Sequence, residues 1–294
     1  VMNVARQTYY FLIFTNLLIA LAAMAQCALT YIFFDAPFDY AMIAIEGAAT
    51  LLLYNFSLVL SKPKNPQNSV YKRTRWVFRN VWILWFNSAL AVLILAYAIF
   101  QIHFYSLLFL GLIGLISVAY SFPIFPYKGK AVGLRQLPAV KIFHIALVWT
   151  LSSVCLPAFE LHLDGYVLDQ LRLSLLFVFK FIFLIICTLP FDIRDMKQDS
   201  YYHLKTIPNM IGADRAIKLC YGLLLLHSTA TLLAPFPLSL RLGILATNVS
   251  IGLLLNRLVF RQQGHYHNAY LLDFALVVQF MLVLLSVNLF AWLQ

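Results

Sequence analysis

The sequence predicts an all-α polytopic membrane protein, nine transmembrane helices in one bundle. Three observations carry that expectation. Hydrophobic residues make up 63% of the chain and charged residues 11%, less than half the roughly 25% charge of a soluble domain. Mean hydropathy is +0.85. The apolar runs last about 20 residues, the length that crosses a hydrocarbon core as a helix; strands of a membrane barrel would alternate in polarity over about 10. A water-soluble globule, a disordered chain and a disulfide scaffold are excluded. Helices follow because lipid offers the backbone no hydrogen-bond partner.

The runs fall at roughly 9–33, 41–60, 79–100, 104–122, 139–158, 171–190, 217–234, 238–256 and 270–292. No internal repeat or low-complexity stretch divides them, so residues 1–294 read as one membrane domain. The connections differ in charge. Segments 61–79, 123–141, 191–218 and 257–269, with Arg6, hold 18 of the 21 Lys and Arg residues. The other connections are short or acidic: Asp35 and Asp39, then His103, then Glu160, Asp164 and Asp169. Basic loops stay cytoplasmic. The N-terminus and the basic loops are therefore expected on the cytoplasmic side of an inner or plasma membrane, and the C-terminus outside. The net charge of +10 has this explanation and calls for no nucleic-acid partner. The first run is too long for the apolar part of a cleavable signal. Cys27, Cys155, Cys187 and Cys220 sit in apolar stretches with no CxxC pair and read as small buried hydrophobes.

Charged groups are costly inside a bilayer and mark candidate sites. The sixth run ends in Leu189-Pro190-Phe191-Asp192-Ile193-Arg194-Asp195, followed by Asp199. Spacing of i, i+3, i+7 stacks Asp192, Asp195 and Asp199 on one helix face. Mg²⁺ relieves their mutual repulsion and is commonly shared with substrate phosphates. The competing reading is a solvated face neutralised by Arg194 and Lys197. Lys205 follows closely and suits a phosphate as a point charge. The 61–79 loop, with Lys62, Lys64, Lys72, Arg73, Arg75 and Arg79, suits anionic headgroups or a diphosphate. Glu46 and Lys180 lie deep in their runs and are expected to pair, or to bind the head of a substrate. Asp273 is a weaker case of the same kind. His265 and His267 have metal-like spacing but no nearby third ligand, so no metal is expected there.

Asp192-x-x-Asp195-x-x-x-Asp199 followed by Lys205-Thr206-Ile207-Pro208 and Gly212, on the sixth of nine spans, resembles the UbiA superfamily of intramembrane prenyltransferases. Tyr120-Ser121-Phe122-Pro123 with Lys128 is similar to a tyrosine-and-lysine segment of that family. The resemblance implies a polyprenyl diphosphate bound through Mg²⁺ between two aspartate-rich motifs. Its ionisation gives an allylic carbocation in a dry, apolar cavity within the bundle, and an aromatic or other lipophilic acceptor attacks it. It also implies metal-binding and catalytic roles for Asp192, Asp195 and Asp199. Substrate-binding roles fall to Asn55, Lys62, Arg73, Tyr120, Lys128, Arg194 and Lys205. The first motif departs from the family's pattern. Where the family has NDxxDxxxD, this chain keeps Asn55 and replaces the carboxylates by Phe56, Val59 and Pro63. A basic side chain of the 61–79 loop standing in for one Mg²⁺ is one reading. The alternative is a non-catalytic relative that binds an isoprenoid lipid or quinone, or a membrane subunit of a larger complex.

Overall fold

The computed structural model describes residues 4–119, 125–127, 130–132, 137–201, 204–260 and 266–292. It is a helical bundle, with one short antiparallel hairpin that pairs β1 (Phe125–Tyr127) with β2 (Lys130–Val132). Tyr120, Lys128 and His265 lie outside the described residues, as does the side chain of His267.

The first apolar run forms two helices, α1 (Val4–Phe14) and α2 (Leu17–Phe33), bent by 79°. The break is at Asn16, whose φ of 61° is left-handed backbone that asparagine tolerates better than most side-chain-bearing residues. Next come α3 (Tyr40–Leu60), the short basic α4 (Lys72–Arg79), α5 (Val81–Ala98) and α6 (Phe104–Ala119). After the hairpin, α7 (Val140–Thr150) continues through a π turn at Leu151–Cys155 into α8 (Leu156–Leu163). The long α9 (Gln170–Arg194) leads to α10 (Met196–Tyr201) and α11 (Ile207–Ile211). The bundle closes with α12 (Ala213–Leu233), α13 (Leu238–Leu254) and α14 (Leu271–Trp292).

Seven helical segments are long and apolar enough to cross a membrane, and the α1–α2 pair makes up to eight if it counts as one span. The chain is thus an integral membrane protein by length and composition of its helices. Two of the nine expected spans fall outside those seven segments. The first run is broken at Asn16. The fourth has 16 described helical residues, about 24 Å, short of a core roughly 30 Å thick.

The buried centre is α2, where Ala22, Cys27, Thr30 and Tyr31 are fully enclosed. It packs on α3, α14 and the π turn. By contrast α5 turns Trp82, Trp85, Phe86 and Leu93 outward, as a lipid-facing helix should. Helices α13 and α14 touch at Gly243, where a Cβ would stand 2.6 Å from the Cα of Val283; no larger residue fits without separating them.

Prolines inside these helices free carbonyls that lipid cannot satisfy, and neighbouring helices supply the donors. Pro157 lacks the N–H that would reach Ser153, and the Thr30 hydroxyl donates to the Ser153 carbonyl at 2.6 Å. Pro190 in α9 likewise frees Ile186, whose carbonyl accepts from the Cys220 thiol at 3.6 Å.

Candidate functional site

The candidate site lies where the C-terminal ends of α3 and α9 meet the N-terminal end of α7 and the break before α2. Helix α9 stops at Arg194, with Asp195 in a non-helical conformation, and α10 restarts at Met196. This one-residue interruption alters the expected single carboxylate face. Asp192 and Asp199, 5% and 6% exposed, turn towards α7. There the Lys141 ammonium sits 2.8 Å from Asp192 Oδ1 and 3.1 Å from Asp199 Oδ2. Asp195 turns instead to its neighbour Arg194, which donates from Nε at 2.8 Å and Nη2 at 2.7 Å in a bidentate pair. Asp192, Asp195 and Asp199 therefore do not converge as one three-carboxylate cluster; the three-donor group found among the described residues lies elsewhere.

Lys141 is placed by two backbone features. Ala139 adopts φ 59° just before α7, and its N–H donates to the Lys205 carbonyl at 2.8 Å. The backbone at Lys205 is thus tied to the start of α7. Lys205 itself is exposed and takes part in none of the ion pairs described. Thr206 beside it is 2% exposed with an unpartnered hydroxyl.

A second network joins this cluster to α3. Asn16 donates to Asn55 Oδ1 at 2.8 Å, and Asn55 donates to the Ser88 hydroxyl at 2.9 Å. Arg73 on α4 donates to Asn16 Oδ1 and, at 3.2 Å, to the Tyr270 hydroxyl. Tyr270 stacks under the Arg194 guanidinium at 5.2 Å and meets Phe191 edge-on at 5.7 Å. Asp273, one turn into α14, is electrostatically coupled to Arg194 and Arg73. Tyr71 donates to Gln198 at 3.1 Å and ties the basic loop to α10. Among the expected site residues, Asn55, Arg73, Arg194 and the three aspartates are thus brought to one end of the bundle. Lys62 is not: it is exposed and lies 5.4 Å over the Phe78 ring on its own loop's helix.

Mid-membrane, the expected Glu46–Lys180 pair does not form. Lys180 donates to the Gln26 carbonyl at 3.2 Å and to Gln26 Oε1 at 2.6 Å. Gln26 donates in turn to the Leu276 carbonyl and to Gln279 Oε1. Depth along a helix places two groups at one level; azimuth decides whether they meet, and α2 comes between them. Glu46 faces Ser152 instead, at one side of an apolar groove of about 420 Å³ between α3, α5, α6 and α7 that includes Leu52, Phe56, Leu95 and Ile113.

Sequence reasoning missed Asn16, Tyr270 and the role of Lys141. Asn16 did leave a signal, an amide interrupting an otherwise apolar run. Lys141 left a fainter one, a lone cation in the first turn of an apolar helix.

The donor set fits a cation. Two buried carboxylates, Asp192 and Asp199, already aim one oxygen each at a single point, which the Lys141 ammonium marks. Mg²⁺ is commonly held by one or two carboxylates with substrate phosphates completing its shell.

No protein-family model matches the chain, and no curated protein matches it by sequence. Solved structures do match. A UbiA homolog from Archaeoglobus fulgidus bound to GPP and Mg²⁺ superposes with a TM-score of 0.62 at 12% identity, over 95% of this chain and 99% of that one. The structure bound to DMAPP and Mg²⁺ gives 0.58 at 13% identity, over 93% and 98%. A structure from work on digeranylgeranylglyceryl phosphate synthase in membranes gives 0.50 at 13% identity, over 95% and 96%. At such identities the likeness is one of fold: the chain has the fold of these UbiA-homolog structures.

Proposed function

We propose that the protein is a divergent intramembrane prenyltransferase, which moves a prenyl group from a polyprenyl diphosphate to a lipophilic, aromatic acceptor. The observation that carries this reading is the convergence of Asp192 and Asp199 on one cation position, at the same end of the bundle as Arg73, Arg194 and Asn55. Asp192 and Asp199 are the residues that would hold Mg²⁺. A bound Mg²⁺ would stabilise charge on the departing diphosphate. Lys141, displaced from between the carboxylates, is positioned to pair with a phosphate oxygen, and Arg73, Arg194 and Lys205 add positive charge around it. The apolar walls of α3, α5 and α6 would exclude water from a carbocation. The basic loops put this end, the N-terminus and an odd number of crossings in a cytoplasm-facing arrangement across the inner or plasma membrane; in it the broken first run and α6 count as crossings, which makes nine. Tyr120 and Lys128 belong to the same proposal through the family resemblance.

One observation favours a second reading, a non-catalytic protein that binds an isoprenoid lipid or quinone or serves a larger membrane complex. Each aspartate already has a side-chain cation, and the first-motif carboxylates are absent.

The deciding experiment is binding of geranylgeranyl diphosphate to the detergent-purified protein with and without Mg²⁺. Mg²⁺-dependent binding that falls about 100-fold in Asp192→Asn supports the transferase reading. Binding indifferent to both Mg²⁺ and the substitution would falsify it.

A further inference from the structure

The opposite end of the bundle carries a cluster that the transferase reading does not use. The span Val140–Leu163 has 24 residues, so Lys141 and Asp164 are separated by about 35 Å along a helix. At this far end, the connection from α5 to α6 meets the end of α8. His103 Nδ1 lies 3.0 Å from Glu160 Oε1 and 3.7 Å from Asp164 Oδ1. Helical spacing of i, i+4 puts Glu160 and Asp164 side by side, and the His103 backbone N–H also donates to Glu160 Oε1 at 3.0 Å. One donor atom from each of His103, Glu160 and Asp164 lies within 4.8 Å of the other two.

Two further facts set this cluster apart from an ordinary ion pair. Glu160 is 2% exposed, and its second oxygen, Oε2, has no partner. Tyr31 is fully enclosed, packs in the same cluster as Leu161 and Ile102, and its hydroxyl also has no partner. A buried polar atom left unsatisfied costs about 1–3 kcal/mol. The His103 contact uses Oε1 and leaves both orphans as they are. Asp39, at the start of α3, is within electrostatic range of Glu160 and Asp164 and adds a third negative group.

We propose that His103, Glu160 and Asp164 form a Zn²⁺ site on the membrane face opposite the aspartates. One imidazole nitrogen and two carboxylates are a borderline donor set that suits Zn²⁺ better than Mg²⁺. Three protein ligands leave a fourth position for water, which can donate towards acceptors that the protein leaves open. Glu160 is the fixed member. His103 and Asp164 are 44% and 45% exposed at their side chains, so they can turn to close around an ion arriving from solvent. Bound there, Zn²⁺ joins the α5–α6 connection to the end of α8.

The test uses the full chain in detergent with any affinity tag removed, dialysed to equilibrium against Zn²⁺ and assayed for bound metal. The expected result is one Zn²⁺ per chain, with affinity reduced at least tenfold in His103→Ala and in Asp164→Asn. Both substitutions are at half-exposed side chains, and their metal-free melting temperatures should match that of the parent. A chain carrying Asp192→Asn and Asp199→Asn should bind Zn²⁺ as the parent does, which separates this site from the proposed transferase centre. No Zn²⁺ uptake by the parent, or equal uptake by His103→Ala, overturns the proposal.

Discussion

Helices α3 and α9 finish at the same end of the bundle, linked through Asn16, Arg73 and Tyr270, yet they finish in different chemistry. The end of α9 presents Asp192, Asp195 and Asp199, each matched to a cation. The end of α3 presents a single amide, Asn55, and that amide is engaged in a chain of hydrogen bonds from Asn16 to Ser88. One half of this end is charged and held closed by Lys141. The other half is neutral and works as a joint that fixes the break before α2. The difference teaches that the end of α3 is a structural joint: Phe56 and Val59 are 50% and 37% exposed, while Asn55 has partners in the break before α2 and on α5.

The sharpest way to break this comparison is to remove the closing cation. Lys141→Met leaves Asp192 and Asp199 buried beside each other with no counter-charge. Loss of one partner from a buried pair costs about 3–5 kcal/mol, so the variant should melt well below the parent in metal-free buffer. Divalent cations should recover most of that loss, because the two oxygens still point at one position. Thermal melts with and without Mn²⁺, and Mn²⁺ binding by electron paramagnetic resonance, would check both halves. A variant as stable as the parent without metal would show that the α9 end is not held by Lys141.

Asp192→Asn attacks the same end differently. It removes a ligand but leaves a neutral side chain for Lys141 to meet. The expected loss is about 100-fold in Mg²⁺-dependent diphosphate affinity, about 2.7 kcal/mol, with less effect on melting than Lys141→Met. The two variants thus separate a site that binds from a site that merely holds the helices together.

On the α3 side, Asn55→Leu should do the reverse. It strands the Asn16 side-chain N–H, while the Ser88 hydroxyl keeps the Leu84 carbonyl, and a stranded buried partner costs about 1–3 kcal/mol. Melting should fall by that measure while Mn²⁺ affinity at Asp192 and Asp199 stays unchanged. Coupled loss of metal binding would mean that the two ends are one site after all.

These contrasts also mark what was legible before the structure. The apolar runs were, since about 20 residues of high hydropathy have few other uses. The acidic motif was legible as well, but not its geometry. Spacing predicts that Asp195 stacks with Asp192 and Asp199, whereas the helix is interrupted at that residue and Arg194 captures it. Lys141 is far from the motif in sequence, and the packing of α7 on α9 brings it in. Glu46 and Lys180 illustrate the same limit. Hydropathy gives their depth, and nothing in it says that Gln26 of α2 reaches Lys180 first.

The smallest effect is expected at the other end of α3, and it completes the comparison along one helix. Asp39 caps α3 by accepting from the N–H groups of Ala41 at 2.9 Å and Met42 at 3.1 Å. Asp39→Ala removes that cap and should cost about 1 kcal/mol. Asp39→Asn keeps an acceptor oxygen for the same N–H groups and removes a charge that Glu160 and Asp164 oppose. It should therefore match the parent or melt slightly higher. If the alanine variant also matches the parent, the helix start is held by packing of Met42 and Ile45, both fully buried. The contrast between the ends of α3 would then be one of side-chain burial against hydrogen bonding.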